Sequence, residues 1–120
     1  MADQPNFFAD RAALANNRFD VHVRAVVRTL LTDDVIAEHE YDPRGDHSDD
    51  LKRVLNYFRR SASLTPYVVL CTHPFRQWRV ARLTGQRHQA PVFVDDQTFD
   101  SESAAEHAVF LMRVAETMRD

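Results

Sequence analysis

Apolar residues in the first half of the chain recur with the three- and four-residue spacing of amphipathic helices. The stretch FDVHVRAVVRTLL predicts a first helix over residues 19–31. A short second helix is predicted after Thr32, which suits an N-cap position, and it runs to about His39. Ser48 is expected to cap a third helix. The inward stripe of that third helix is predicted to comprise Leu51, Val54, Leu55 and Phe58.

The second half opens with a β pattern. The runs YVVLCTH (residues 67–73) and QWRVARLT (residues 77–84) are rich in β-branched and aromatic residues, and PFR between them reads as a turn. Neighbouring strands with a short connection predict an antiparallel hairpin. PVFV (residues 91–94) is a candidate third strand. On the second strand, alternation puts Trp78, Val80 and Arg82 on one face and Arg79, Ala81 and Leu83 on the other.

The last segment, SESAAEHAVFLMRVAETM (residues 101–118), predicts a C-terminal helix. Ser103 and Glu106 have the spacing of a capping box, and Ser101 or Asp100 is an alternative N-cap. Helical spacing predicts an inward face formed by Ala104, Ala108, Leu111, Val114, Ala115 and Met118.

This order of elements predicts an α+β fold, in which a small antiparallel sheet is packed with N-terminal helices and a C-terminal helix. The 120 residues suit one domain. Residues 1–17 are expected to form a loose arm, and residues 18–120 the single domain. So small a sheet has exposed edges, which another chain can cover.

Composition narrows the functional classes. A net charge of -3 and a pI near 6.0 disfavour an obligate nucleic-acid binder, which is usually basic. A lone cysteine excludes an internal disulfide and fits a reducing compartment. The start, MADQPNFFAD, lacks the features of a signal peptide, and no apolar run approaches the roughly 20 residues of a membrane span. A cytoplasmic location is therefore expected, with neither a membrane nor a nucleic acid as partner.

Cys71 and His73 are the first candidates for catalysis, because alternation puts residues two apart on one strand face. Their Cα atoms would lie roughly 6.6 Å apart, which does not favour a contact between thiol and imidazole. No third group is available to orient the base. Within VVLC, Cys71 is better interpreted as a small buried hydrophobe. No catalytic residue is assigned.

The six histidines raise the question of a metal, but none forms a close ligand pair such as His-x-x-x-His. The carboxylates around His47 in DHSDD are better explained as first-turn charges of a helix. His107 lies on or beside the apolar stripe of the last helix, where a core or interface histidine is expected. We therefore predict no metal or cofactor site in this chain.

Protein contact is the function that the remaining features favour, since Trp and Arg are enriched at energetically important interface positions. For the hairpin residues themselves, packing within the sheet is the first interpretation, a protein interface the second and single-stranded RNA a distant third. Tyr57 also suits the core side of a helix. Phe7 and Phe8 would pack against the chain's own domain if the N-terminal arm folds back onto it. The candidate interface residues are Phe7, Phe8, Tyr57, Arg59, Arg76, Trp78, Arg79 and Arg82.

Three segments together resemble the small (alpha) subunit of bacterial N,N-dimethylformamidase. They are LKRVLNYFRR (residues 51–60), YVVLCTHPFRQWRVARL (67–83) and FDSESAAEHAVFLMRV (99–114). The last contains the run from His107 to Arg113, which matches the HAVFLxR part of the family pattern EAxHAVFLxR. The resemblance covers residues 48–118, although the loop at 86–98 does not match, and none of these motifs is catalytic.

The resemblance implies a hetero-oligomeric amidohydrolase that converts N,N-dimethylformamide and water to dimethylamine and formate. It places a mononuclear iron, held by tyrosine and glutamate side chains, in a large partner subunit that binds the amide substrate. The small subunit would contribute structure and contact surface, and no catalytic residue carries over to this chain. A stand-alone interaction or regulatory domain is the alternative.

Overall fold

A computed structural model describes residues 21–119 of the chain. Residues 21–30 are helical and are labelled α1. The further elements are α2 (Asp33–Tyr41), α3 (Asp49–Arg60), β1 (Tyr67–His73), β2 (Gln77–Arg82), β3 (Val92–Phe93) and α4 (Glu102–Met118). The α+β prediction is confirmed, including the third strand. The predicted arm at 1–17 and the start of the domain at 18 lie outside the described residues.

Hydroxyl caps fix where the helices begin. The Oγ1 atom of Thr32 accepts a hydrogen bond from the backbone of α2, and Ser48 and Ser101 do the same for α3 and α4. Each bond satisfies one of the amide groups that the first turn of a helix leaves without a partner. The predicted caps Thr32 and Ser48 are confirmed, and Ser101, rather than Ser103 or Asp100, is the cap of α4.

The sheet has the order β1-β2-β3 and is antiparallel throughout. Tyr67 lies opposite Arg82, Val69 opposite Val80, and Ala81 opposite Phe93. The central strand is therefore β2, and one edge of β1 has no neighbouring strand among the described residues.

Two layers of buried side chains hold the elements together. Between the helices lies a cluster made of Val27, Val35, Leu51, Val54, Tyr57, Phe58 and Phe110. A second buried set, on β2 and α4, comprises Val80, Ala81, Ala105 and Val109. The α4 helix contributes to both sets, so it is the element that joins the helical layer to the sheet.

The inward face predicted for α4 is wrong for most of its residues, although Val114 does pack against the helical core and Ala108 is partly buried. Its buried residues are Ala105, Val109, Phe110 and Thr117. Leu111 is 42% exposed and Met118 is 50% exposed, and Ala104 and Ala115 are also exposed. The helix is apolar around most of its circumference, and the true inward face is turned by about one residue from the predicted one. The exposed residues Ala104, Leu111, Ala115 and Met118 are called the α4 outer stripe below.

The C-terminal end of α4 is held by two arginines of α1. Arg24 donates from Nε to the carbonyl of Thr117 (3.1 Å) and from Nη2 to the carbonyls of Glu116 (3.0 Å) and Arg119 (2.5 Å). Arg28 donates from Nε to Thr117 (2.7 Å) and from Nη2 to Arg119 (2.5 Å). The last carbonyls of a helix have no partners within it and carry partial negative charge, so guanidinium groups satisfy and stabilise them.

Candidate interaction sites

Cys71 and His73 are both exposed and do not form a thiol–imidazole pair. A bulge between them breaks the regular alternation of β1. The Cys71 thiol donates to the backbone carbonyl of His73, with Sγ 3.4 Å from the oxygen. The prediction of a buried cysteine is wrong, because Cys71 lies at the far end of the edge strand, on its exposed side. Among the described residues, no side-chain base is hydrogen-bonded to this thiol.

The hairpin turn presents a fully exposed aromatic side chain. The amide of Arg76 donates to the carbonyl of His73 (3.0 Å), which closes a four-residue turn around Pro74 and Phe75. Phe75 has a φ of 59°, in the left-handed region that a bulky residue adopts only with strain, and it is 91% exposed. Backbone strain of this kind is concentrated at functional sites. The sequence predicted the turn but did not single out Phe75.

Arg79 is engaged within its own sheet. Its Cζ atom lies 3.7 Å from the centre of the Phe93 ring, a cation–π contact across to β3. Its Nη2 atom donates to the carbonyl of Asp95 (2.6 Å). Trp78 is half-buried and pairs with Phe99 through two backbone hydrogen bonds of 2.9 Å. Sheet packing, the first interpretation of the hairpin, therefore describes both residues.

The other candidate interface residues fall into three groups. Arg59, Arg76 and Arg82 are exposed, so their role in an interface stays a prediction. Tyr57 is 5% exposed within the helical core, so its burial removes it from the candidate surface, and its core interpretation holds. Phe7 and Phe8 lie outside the described residues.

A cleft of about 410 Å³ opens beside the C-terminal end of α3. Its lining residues are Leu55, Phe58, Arg59, Ser61, Ala62, Leu64, Thr65, Pro66 and Arg113. The Nε atom of Arg113 is buried and has no hydrogen-bond partner in the described part of the chain. Burial lowers the pKa of Arg113, with Glu116 and Tyr67 opposing the shift. No sequence motif indicates this cleft, because its walls come from α3, the following loop and α4.

The carboxylate nearest in sequence to Arg113 is already committed to other partners. Glu116 accepts a hydrogen bond from the Tyr67 hydroxyl at Oε1 (2.7 Å) and from the Thr65 amide at Oε2 (3.0 Å). Partial burial raises the pKa of Glu116, but these hydrogen bonds outweigh it and hold the pKa below its usual value. Burial and the Glu116 hydrogen bond raise the pKa of Tyr67. Glu116 thereby joins α4 to the start of β1.

Three histidines that are distant in sequence stack together on the other side of α4. The ring of His39 lies 5.1 Å from that of His107, 6.4 Å from that of His47 and 4.0 Å from that of Phe110, measured between centroids. Burial, then the charges of His107 and His47, lower the pKa of His39 to about 4, with Glu106 opposing. Burial lowers the pKa of His107 as well, with Glu40 opposing. The prediction that His107 is a core or interface histidine fits this position.

Ion pairs at the surface support the histidine stack. Arg44 makes a two-pronged contact with Glu106, through Nη2 to Oε1 (2.7 Å) and Nε to Oε2 (3.1 Å). It also pairs with Glu102. Across residues 21–119, no group of three or more His, Cys, Asp and Glu side chains is arranged to hold a metal ion. Nor does any helix in that range have the length and apolar character needed to cross a membrane.

Comparison with known proteins gives one consistent result. The family model described as the N,N-dimethylformamidase alpha subunit matches residues 14–120. The chain is 31% identical to the N,N-dimethylformamidase alpha subunit of Paracoccus aminophilus, over 97% of this chain and 84% of that protein. It is 28% identical to the N,N-dimethylformamidase alpha subunit of an Alcaligenes species, over 92% and 86% of the two chains.

Proposed function

The chain belongs to the N,N-dimethylformamidase alpha subunit family, and from that membership we propose that it is the non-catalytic small subunit of a hetero-oligomeric amide hydrolase. In this proposal a large partner subunit binds N,N-dimethylformamide and hydrolyses it to dimethylamine and formate. The small subunit has a structural role in the assembly. The name shared by the relatives implies a complex of several subunits.

The observation that best supports a role in assembly is the α4 outer stripe. Leu111 and Met118 are large apolar side chains that remain substantially exposed on the longest helix. Exposing apolar area to water costs roughly 25 cal/mol for each Å². A partner chain that covers the stripe recovers that free energy, and contiguous exposed apolar surface is typical of interaction sites.

The proposal assigns the iron to the partner subunit. The residues 21–119 bring together no set of ligands that fits a metal ion, so no step of the reaction is derived for them. The iron would act as a Lewis acid and activate water, which is the general logic of metal-assisted hydrolysis. We also propose a cytoplasmic location, because a single cysteine suits a reducing compartment.

The direct test is reconstitution with a candidate large chain, to be sought first in the open reading frames next to the one that encodes this chain. Each chain is purified alone and after co-expression, and formate and dimethylamine are measured with N,N-dimethylformamide as substrate. The proposal predicts a stable complex that is active and a small chain that is inactive alone. Hydrolysis by the isolated 120-residue chain would contradict the accessory role. A stable complex with a partner that is no hydrolase would favour the alternative of a regulatory or interaction domain.

A further inference from the structure

We propose that the cleft beside the end of α3 is a binding site for a carboxylate group, with Arg113 as the residue that anchors it. The family comparison assigns no ligand to this cleft, and the proposal does not require a catalytic role for the chain. The proposal rests on the position of Arg113 in the wall of the cleft and on its buried Nε atom, which has no hydrogen-bond partner in the described part of the chain.

The Nε atom of Arg113 is a buried hydrogen-bond donor that has no acceptor within residues 21–119. Arg113 lines the cleft, and its Nε atom is buried without a hydrogen-bond partner in the described part of the chain. A buried donor without a partner is costly, and a charged donor more so than a neutral one. Glu116 acts on Arg113 through its charge, but its two oxygens accept from Tyr67 and Thr65 and neither accepts from the Nε atom of Arg113. An anion that enters the cleft would supply the acceptor that the Nε atom of Arg113 lacks.

The shape of the guanidinium group and the apolar walls of the cleft favour a carboxylate over other anions. A carboxylate offers two coplanar oxygens, which match the planar fork of an arginine. The cleft walls formed by Leu55, Phe58 and Leu64 are apolar and suit an aliphatic chain behind the charged group. Exposed Arg59 adds a second positive charge to the lining. A strongly hydrated anion such as phosphate would gain less from these walls.

Two sources of carboxylate share this chemistry: a small free carboxylate, and an acidic side chain of the partner subunit. The first part of the test uses the full chain alone. Butyrate, acetate and formate are titrated at constant ionic strength against chloride, and binding is followed by calorimetry and by the shift in melting temperature. A free ligand predicts saturable binding that Arg113→Gln weakens about ten-fold or more. Arg53→Gln, which removes an exposed charge of α3 outside the cleft, should leave binding unchanged.

The second part rests on the proposed function and uses the co-expressed large chain. If the carboxylate belongs to a side chain of the partner, Arg113→Gln should weaken association about ten-fold or more while Arg53→Gln does not. Arg113→Lys keeps the charge but not the fork, so it should fall between the wild type and Arg113→Gln. Circular dichroism checks that each variant is folded.

The two proposals can fail separately. If the wild-type chains do not associate, the proposed function fails, and the titration alone decides the cleft. The cleft proposal is overturned if no carboxylate binds the isolated chain and the Arg113→Gln variant associates with the large chain as the wild type does. It is also overturned if no carboxylate binds the isolated chain and the wild type does not associate with the large chain. Equal weakening by Arg113→Gln and Arg53→Gln would also overturn it, because that result would indicate general charge attraction.

Discussion

The Nδ1 atoms of His39 and His107 lie 2.9 Å apart and share one hydrogen bond between α2 and α4. One nitrogen must donate and the other accept, so the two neutral rings have different tautomers. The contact is half-buried and stacks against Phe110, where the helical core begins. It makes the packing of these two helices sensitive to protonation.

We predict that the stability of the protein falls as the pH is lowered from about 6.5 towards 4. His39 has a folded-state pKa of about 4 against an ordinary value of 6.5, because it is buried. Between these two pH values the unfolded chain binds the proton more readily than the folded chain. The contribution of neutral His39 to the free energy of unfolding is therefore fully present above pH 6.5 and is lost progressively as the pH falls towards 4. The largest slope from this one group is about 1.4 kcal/mol for each pH unit.

Urea unfolding at several pH values measures this effect. The charges of Glu106 and His47 act on His39, and that of Glu40 acts on His107. These three residues are therefore left unmutated in every variant. In His39→Phe the acid-dependent loss should shrink, whereas the exposed His73→Gln serves as a control that keeps it. A wild-type stability that stays flat between pH 6.5 and 4 would contradict the prediction.

The arginines that hold the end of α4 should contribute measurably to stability. Arg24→Gln removes three charge-assisted hydrogen bonds to carbonyls of the last turn. We expect a loss of about 1–3 kcal/mol in the free energy of unfolding, measured by urea titration. Arg53→Gln changes the net charge equally on an exposed site of α3 and should cost less than about 0.5 kcal/mol. Equal effects of the two variants would refute the role assigned to Arg24.

Relief of strain at the hairpin turn should stabilise the isolated chain. Phe75→Asn replaces a bulky residue at a φ of 59° by one that tolerates the left-handed region. We expect a gain of about 0.5–1 kcal/mol, seen as a higher melting temperature. Tyr41→Asn removes an equally exposed aromatic from a helical position and should give no gain. If Phe75→Asn lowers the melting temperature, Phe75 contributes packing that its exposure does not reveal.

Substitution of two adjacent residues of α4 should separate folding from assembly: one should destabilise the isolated chain, and the other should weaken its association with the large chain. Phe110→Ser removes a buried ring of the helical core, so the isolated chain should lose about 3–5 kcal/mol of stability. Leu111→Ser acts on the α4 outer stripe and should change the stability of the isolated chain by less than about 0.5 kcal/mol. It should weaken association with the large chain, measured by calorimetry. Unchanged association in Leu111→Ser would remove the stripe from the interface.

The same helix shows what the sequence can and cannot predict. Capping hydroxyls, Pro and the β-branched runs act locally, so Thr32, Ser48 and the hairpin were predictable. The inward face of α4 was not, because Ala104 and Ala105, or Phe110 and Leu111, are apolar alike and both choices have helical spacing. Only the shape of the layers above and below the helix decides which set is buried.

The candidate sites depend on contacts between distant parts of the chain. His39 and His107 are 68 positions apart, and the walls of the Arg113 cleft combine α3 and its following loop with the distant α4. Spacing rules for metal or catalytic motifs do not detect such sets, since no short motif contains them. Exposed Cys71 was mispredicted because an apolar run does not reveal a bulge or an open strand edge.

The bonds from Arg24 to the end of α4 also bear on how the protein folds. They join residues 92 to 95 positions apart, so almost the whole described chain must be arranged before they form. Closing so long a loop carries a large entropic cost, and contacts of this kind slow folding. The helix hairpins and the β-hairpin can form first. We therefore expect the docking of α1 onto α4 to be a late event, after which the ends of the described chain unfold and refold as one unit.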